Sequence, residues 1–312
     1  MKKAPVINSA LILIIGVISV STASIFIRFA QTDVPSLIIA VYRMAFATIL
    51  LIPFSLKTIK QERQKLSRSH IVLMILTGFF LALHFASWIT SLEFTTVASS
   101  VVLVTSTPLW VSLISPLVLK ERISLRIILG LLIALGGTLL ISISGNCEWI
   151  GLIPTCSRLT FLFSERGYLG NLMALCGAFF FAGHVIIGRT IRRTLSLASY
   201  TFSAYGIAAV FLIVIAIVKG EPLFGYSIAA YFLFFLLALI PQVIGHSCFN
   251  WALGYLPAIY VSIALLGEPI GSSLLAWFIL GEKPVNEEIT GGCLILVGIL
   301  VASLRIQSKR NN

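Results

Sequence analysis

Residues 265–283 read LLGEPIGSSLLAWFILGEK, and 161 positions earlier residues 104–122 read VTSTPLWVSLISPLVLKER. Aligned without gaps, Pro269 falls on Pro108 and Glu282 on Glu121. The same offset carries Arg28 onto Arg189, Leu92 onto Leu253, Gly130 onto Gly291 and Gly137 onto Gly298. A chain that matches itself at one fixed offset is built from two copies of a single structural unit. In the later copy Pro269 interrupts an apolar run long enough to be one helix. A proline there removes the amide that would bond the carbonyl four residues back, which frees the carbonyl of Leu265.

The composition rules out an ordinary soluble fold. Of 312 residues, 58% are hydrophobic and 11% charged, and the mean hydropathy is +1.05, whereas a globular domain carries about 25% charged residues. Apolar stretches near 8–30, 36–56, 71–91, 97–119 and 125–145 are followed by others near 169–190, 200–218, 229–251, 257–280 and 287–306. Each is close to the roughly 20 residues that carry a helix across about 30 Å of hydrocarbon. The expectation is an all-α integral membrane protein of ten transmembrane helices. It comprises a five-helix repeat over 1–145, an external connecting segment over 146–168 and a second five-helix repeat over 169–312. Five is odd, so the second copy lies upside down relative to the first, the inverted-repeat plan of secondary transporters.

A net charge of +11 would suit nucleic acid if the basic residues shared one soluble face. They alternate between loops instead. With the N-terminus inside, 16 Lys and Arg fall in cytoplasmic segments and only Arg158, Arg166, Lys219 and Lys283 fall outside, while Arg28 and Arg43 lie within spans. That bias puts both termini in the cytoplasm and the chain in the cytoplasmic membrane. The expected partners are the lipid bilayer and a small-molecule solute, and nucleic acid is not among them. Lys2 and Lys3 before an apolar run also fit a signal peptide, but the run is long enough to span and its copy near 169–190 sits mid-chain. No GxxxxGK(S/T) phosphate loop, paired CxxC or HExxH helix occurs. ATP is therefore an unsuitable energy source, and neither a metal nor another cofactor is expected. Cys147 and Cys156 share the external segment, where a disulfide could form. Cys176, Cys248 and Cys293 lie in spans as small apolar fillers.

A charge at the centre of a span costs about 2.5–3.5 kcal/mol, so each one demands a reason. Glu268 lies mid-span directly before Pro269, and Thr105-Ser106-Thr107-Pro108 stands at the matching depth of the first copy. Helices broken near the midplane are where transporters build their sites. The plainer reading is a proline kink with Glu268 hydrogen-bonded to a neighbour. Gln242, His246 and Asn250 follow one another at i, i+4 and i+8, which puts them on one face of a regular helix. His84 and Trp88 form an i, i+4 pair with Ser91 on the same side, while His184 stands alone and reads as structural. Arg43 is read as snorkelling outward or binding an anionic group of substrate or protein, with a structural or gating role favoured. Arg28, near Asp33, is read as a snorkelling or salt-bridged rim residue. The substrate-lining candidates are His84, Trp88, His246, Asn250, Glu268, Gln242 and Arg43, with helix breaks at Pro108 and Pro269. Glu121 and Glu282, at span ends, read as junction caps. Gly130, Gly136 and Gly137, with Gly291, Gly292 and Gly298, let backbones approach closely, either within one subunit or across a dimer. Monomer and homo-oligomer both stay open.

Three groups of residues, in this order and at the repeat spacing, carry a family resemblance: Tyr42-Arg43-Met44-Ala45-Phe46-Ala47; Pro108 followed by Leu119-Lys120-Glu121-Arg122; and Leu266-Gly267-Glu268-Pro269 followed by Leu280-Gly281-Glu282-Lys283. The chain resembles the EamA family of the drug/metabolite transporter superfamily over essentially its whole length. The resemblance implies a ten-helix inverted-repeat exporter of amino acids or related small metabolites, working by alternating access around a central cavity. Direction comes from the resemblance alone. The nearest alternative is an exporter of drugs or lipophilic cations, drawn by Glu268 and the aromatic side chains. Proton coupling through Glu268 is open in either case. A membrane-embedded enzyme is a remote alternative, because no Ser/His/Asp grouping or metal helix is found.

Overall fold

The structure is a computed structural model and describes residues 8–62, 64, 66–95, 97–121, 123–143, 147–150, 153–156, 165–280 and 286–303. In chain order the helices are α1 (Ser9–Ala30), α2 (Ser36–Glu62), α3 (Arg68–Phe94), α4 (Ser100–Val118), α5 (Leu125–Ile143), α6 (Gly167–Arg192), α7 (Leu197–Val218), α8 (Ile228–Ala252), α9 (Ala258–Ile279) and α10 (Asn286–Ser303). Among the described residues, eight of these are long and apolar enough to cross a bilayer. The other two, α5 and α10, stand where the remaining expected spans lie, but their apolar stretches, Leu125–Leu140 and Ile289–Ala302, are shorter. Strands β1 (Cys147–Ile150) and β2 (Ile153–Cys156) pair antiparallel in the connecting segment, with Cys147 opposite Cys156. Glu282, Lys283, Phe161 to Phe163 and the basic residues near both termini lie outside the described residues.

Three helices are broken at one level, each for a local reason. In α9, Pro269 offers no amide to Leu265. The chain tightens into a 3-10 turn over Leu265–Gly267, and the Glu268 amide takes the Leu265 carbonyl instead. In α4, Pro108 removes the amide that Val104 would bond, and the Thr107 hydroxyl donates to that carbonyl at 2.8 Å. In α1 there is no proline. There Ser21 Oγ donates to the Val17 carbonyl and Thr22 Oγ1 to the Ser19 carbonyl, both at 2.8 Å, which opens the helix between Val20 and Ala23. The breaks in α1 and α9 touch, since Ser21 Oγ also donates to the Glu268 carbonyl and Ser272 Oγ to the Ser21 carbonyl, each at 3.2 Å.

The halves are bound to each other rather than standing apart. Helix α6 packs along α3 and α1 along α8, while α2 packs along α7 and α5 along α10. Two hydrogen bonds recur at the sequence offset. Arg28 Nη1 donates to the Leu92 carbonyl at 3.1 Å, and Arg189 Nη1 donates to the Leu253 carbonyl at 2.7 Å. Gln31 likewise donates to the Ile89 carbonyl, and Arg192 to that of Asn250. Arg28, exposed near the end of α1, thus holds the end of α3, and no ion pair with Asp33 is found among the described residues. Glu121 caps a junction as its position implied. One carboxylate oxygen accepts from Arg189 Nε at 3.2 Å and the other from the Ala258 amide at the start of α9.

Glycine settles how α5 meets α10. Gly130 lies against Gly298 and Ala302, and Gly137 against Gly291 and Ile295, so the helices run antiparallel with their backbones in contact inside one chain. A Cβ on Gly130 would stand 2.5 Å from the Gly298 carbonyl oxygen, whereas one on Gly136 would meet nothing within 4 Å. Replacing Gly130 by Ala is expected to cost about 1–3 kcal/mol through overpacking of backbone that cannot yield. It should lower the melting temperature of the detergent-solubilised protein, while Gly136→Ala leaves it unchanged. Equal effects at the two positions would refute this packing.

Candidate functional site

A cavity opens where the three breaks meet. It is open at its mouth, and the space inside that the centre of a water-sized body can reach is about 30 Å³, room for a few water molecules rather than for a small metabolite. Helix α9 brings Glu268, α2 brings Arg43, α3 brings His84 and Trp88, and α8 brings His246. Thr105 and Thr107 come from the break in α4, and Phe181 from α6. The break explains why Glu268 can be there. An uninterrupted helix would satisfy its own backbone and present the carboxylate wherever the helical phase falls, whereas the 3-10 turn sets Glu268 at the first residue of a new helical segment.

Arg43 is fully buried, and its Nε donates to Gln242 Oε1 at 2.9 Å. Its guanidinium carbon lies 4.2 Å from the centre of the Phe85 ring and 5.9 Å from that of Trp88. Such a desolvated cation–π contact is worth about 2 kcal/mol. Nη1 and Nη2 have no hydrogen-bond partner among the described residues, and a buried donor left unpaired costs about 1–3 kcal/mol. The ion pairs among the described residues are those of Glu121 with Arg189 and Arg193. Arg43 and Glu268 therefore share the cavity without forming one. His84 is fixed by Nδ1, which donates to the Gly177 carbonyl at 2.9 Å, and it lies nearly parallel to Trp88 at 5.9 Å and against Phe181 at 4.6 Å. His246 meets Phe85 and Phe181 edge-on.

Of the seven residues expected to line the site, five do so together: Arg43, His84, Trp88, His246 and Glu268. Gln242 and Asn250 stand outside the cavity wall. Gln242 is held by Arg43, and Asn250 Nδ2 donates to the Tyr205 hydroxyl at 3.2 Å. Residues Ala238–His246 are π-helical around Pro241, and of the three aligned polar residues only His246 lines the cavity, while Gln242 and Asn250 are engaged by Arg43 and Tyr205. His184 is structural, bonded through Nδ1 to Thr77 Oγ1 at 2.9 Å. Sequence reasoning missed Phe85, Phe181 and Tyr205. Tyr205 links Ser247 and Asn250 through its hydroxyl, and nothing distinguishes these aromatic residues from many others in an apolar chain.

Comparison with known proteins places the chain in a family. A model of the EamA-like transporter family matches residues 7–143 and again residues 168–304, the two matches standing at the same offset as the sequence repeat. The chain belongs to the EamA-like transporter family. An uncharacterized transporter of Archaeoglobus fulgidus is 22% identical over 290 residues, covering 93% of this chain and 94% of its own length. The uncharacterized transporter YyaM of Bacillus subtilis is 24% identical over 275 residues, covering 87% and 85%. A solved crystal structure shares the fold at a TM-score of 0.73 and 16% identity, covering 95% of this chain and 96% of its own. This EamA-like chain is thus a multi-pass membrane transporter.

Arg43 is a buried cation with one side-chain hydrogen bond and aromatic support, so its contacts offset the desolvation of its charge only in part. Arg43→Met is expected to leave the melting temperature of the detergent-solubilised protein unchanged or raised while abolishing transport. A fall of several degrees would make the guanidinium a structural group.

Proposed function

We propose that this transporter exports amino acids or related small zwitterionic metabolites across the cytoplasmic membrane by alternating access. The observation that carries this reading is the pair of opposite charges, Arg43 and Glu268, lining one cavity without bonding each other. A zwitterion supplies the missing partner to both, its carboxylate to Arg43 and its ammonium to Glu268. A lipophilic cation would find Glu268 but would have to settle beside a buried guanidinium, so the geometry favours amino acids over that alternative. Aromatic walls from Phe181 and Trp88 suit an amphipathic solute.

The reading includes ten crossings arranged as two inverted five-helix units, 1–145 and 169–312, joined by an external segment at 146–168. The contact between α5 and α10 supports inversion. Gly130 and Gly137 meet Gly298 and Gly291, each residue facing the copy of the other. That reciprocity in antiparallel helices belongs to a two-fold axis across the helix direction. The distribution of Lys and Arg supports cytoplasmic termini. Rocking of one unit against the other would expose the cavity to each side in turn. Glu268 is also the group through which a proton could couple to the solute.

Purified protein in liposomes is expected to exchange one class of labelled amino acids saturably in counterflow. Glu268→Gln, expressed at the normal level, should lose exchange by roughly tenfold or more, the effect of stripping one partner from a desolvated charge pair. Unchanged exchange in the variant would remove Glu268 from the mechanism. An inert amino-acid panel would turn the reading to lipophilic cations.

The strand register also supports a disulfide between Cys147 and Cys156 on the outer face. A membrane-impermeant maleimide applied to intact cells should label these cysteines only after reduction. Labelling without reduction would refute the bridge, and none after it would place the hairpin inside.

A further inference from the structure

Four buried nitrogens near the Arg43 end of the cavity have no acceptor: Arg43 Nη1 and Nη2, Trp88 Nε1 and Gln242 Nε2. Every one is a donor, and no acceptor among the described residues answers them. The bond from Arg43 Nε to Gln242 Oε1 orients both partners. Turned over, the amide would set its own N–H groups against the guanidinium, so the Oε1 edge must face Arg43. The guanidinium is then fixed twice, along its Nε edge by Gln242 and on its face by Phe85 at 4.2 Å. The edge that remains is the two-nitrogen fork, on a side chain that lines the cavity together with Trp88.

We propose that this donor cluster is a receptor for a free carboxylate, with Arg43 and Trp88 as its ligands and Gln242 as the residue that positions Arg43. The proposal rests on the zwitterion reading above and narrows it to solutes whose acid group is free. A carboxylate has two oxygens with about four lone-pair sites and no proton to donate. Nη1 and Nη2 take one oxygen each in the fork geometry that guanidinium offers, and Trp88 Nε1 takes a further lone pair. A carboxamide of the same shape turns an NH2 group toward donors and carries no charge. A free acid should therefore bind roughly ten- to a hundredfold more tightly than its amide.

The test measures thermal protection of the purified full-length protein in detergent, using a panel of L-amino acids, their carboxamides and the matching 2-oxo acids, which lack the amine. Alongside it, counterflow of the same amino acids is measured in liposomes. Free acids should protect the wild-type protein, and carboxamides should need roughly ten- to a hundredfold higher concentration. Trp88→Phe keeps the ring packing and should reduce that preference. Gln242→Leu should abolish it while total aromatic packing is retained, and Gln242→Glu, which keeps the acceptor for Nε but neutralises the fork, should weaken acids without weakening amides. Equal protection by acids and amides with exchange intact would overturn the receptor and leave the transport reading standing. Protection by 2-oxo acids with no exchange of any amino acid would uphold the receptor and remove the zwitterion reading. A preference unchanged in both Trp88→Phe and Gln242→Leu would overturn the roles given to those residues, and protection by none of the acids would overturn the receptor altogether.

Discussion

Inside hydrocarbon every backbone amide and carbonyl must find its partner within the protein, and three of the prolines set into the helices, Pro108, Pro241 and Pro269, each take one amide away where the helix is broken or widened. Pro269 leaves the Leu265 carbonyl to a 3-10 bond from Glu268, and Pro108 leaves the Val104 carbonyl to the Thr107 hydroxyl. Around Pro241 the chain widens into a π-helical stretch. These local repairs interrupt α4 and α9 and reshape α8 at the level of the cavity. A bilayer tolerates such irregular backbone only where protein or a cavity surrounds it, which ties the helix breaks to the site.

The electrostatics follow from the same enclosure. Arg43 is fully buried, and the described residues around it answer it through one amide oxygen and the face of Phe85. Glu268 faces the same space without reaching it. On the reading proposed above, a site left with these two groups unpaired favours a solute that carries both charges. A paired Arg43 and Glu268 would instead make the empty state self-satisfied and leave less to gain from binding. His84 and His246 add packing around these charges, with His84 locked by the Gly177 carbonyl.

Much of this was legible in the residues. The offset between Pro108 and Pro269 marked both breaks, and the depth of Glu268 beside a proline marked a residue that lines the cavity. The matched pairs Arg28 with Arg189 and Leu92 with Leu253 proved to be the two ends of one recurring hydrogen bond. The clustered glycines likewise marked a close helix contact, although not which helix would supply the other side. Of Gln242, His246 and Asn250, read as one lining stripe, only His246 lines the cavity, because Gln242 and Asn250 are engaged by Arg43 and Tyr205, which lie far away in the chain. The break in α1 was not legible at all, since Ser21 and Thr22 open a helix only where their hydroxyls find carbonyls to bond, and one of those belongs to Glu268.

The sequence by itself determined a membrane protein of two repeated units with prolines set into matching helices, because hydropathy, repeat offset and missing amides are local properties of the chain. Only the tertiary structure decided that Arg43 and Glu268 share a cavity, that Gln242 serves Arg43 rather than lining the space, and that α5 meets α10 through backbone. Those outcomes depend on how helices from opposite halves pack against one another, and in lipid that packing is set by shape and by unsatisfied polar groups, which hydropathy along a single chain does not encode.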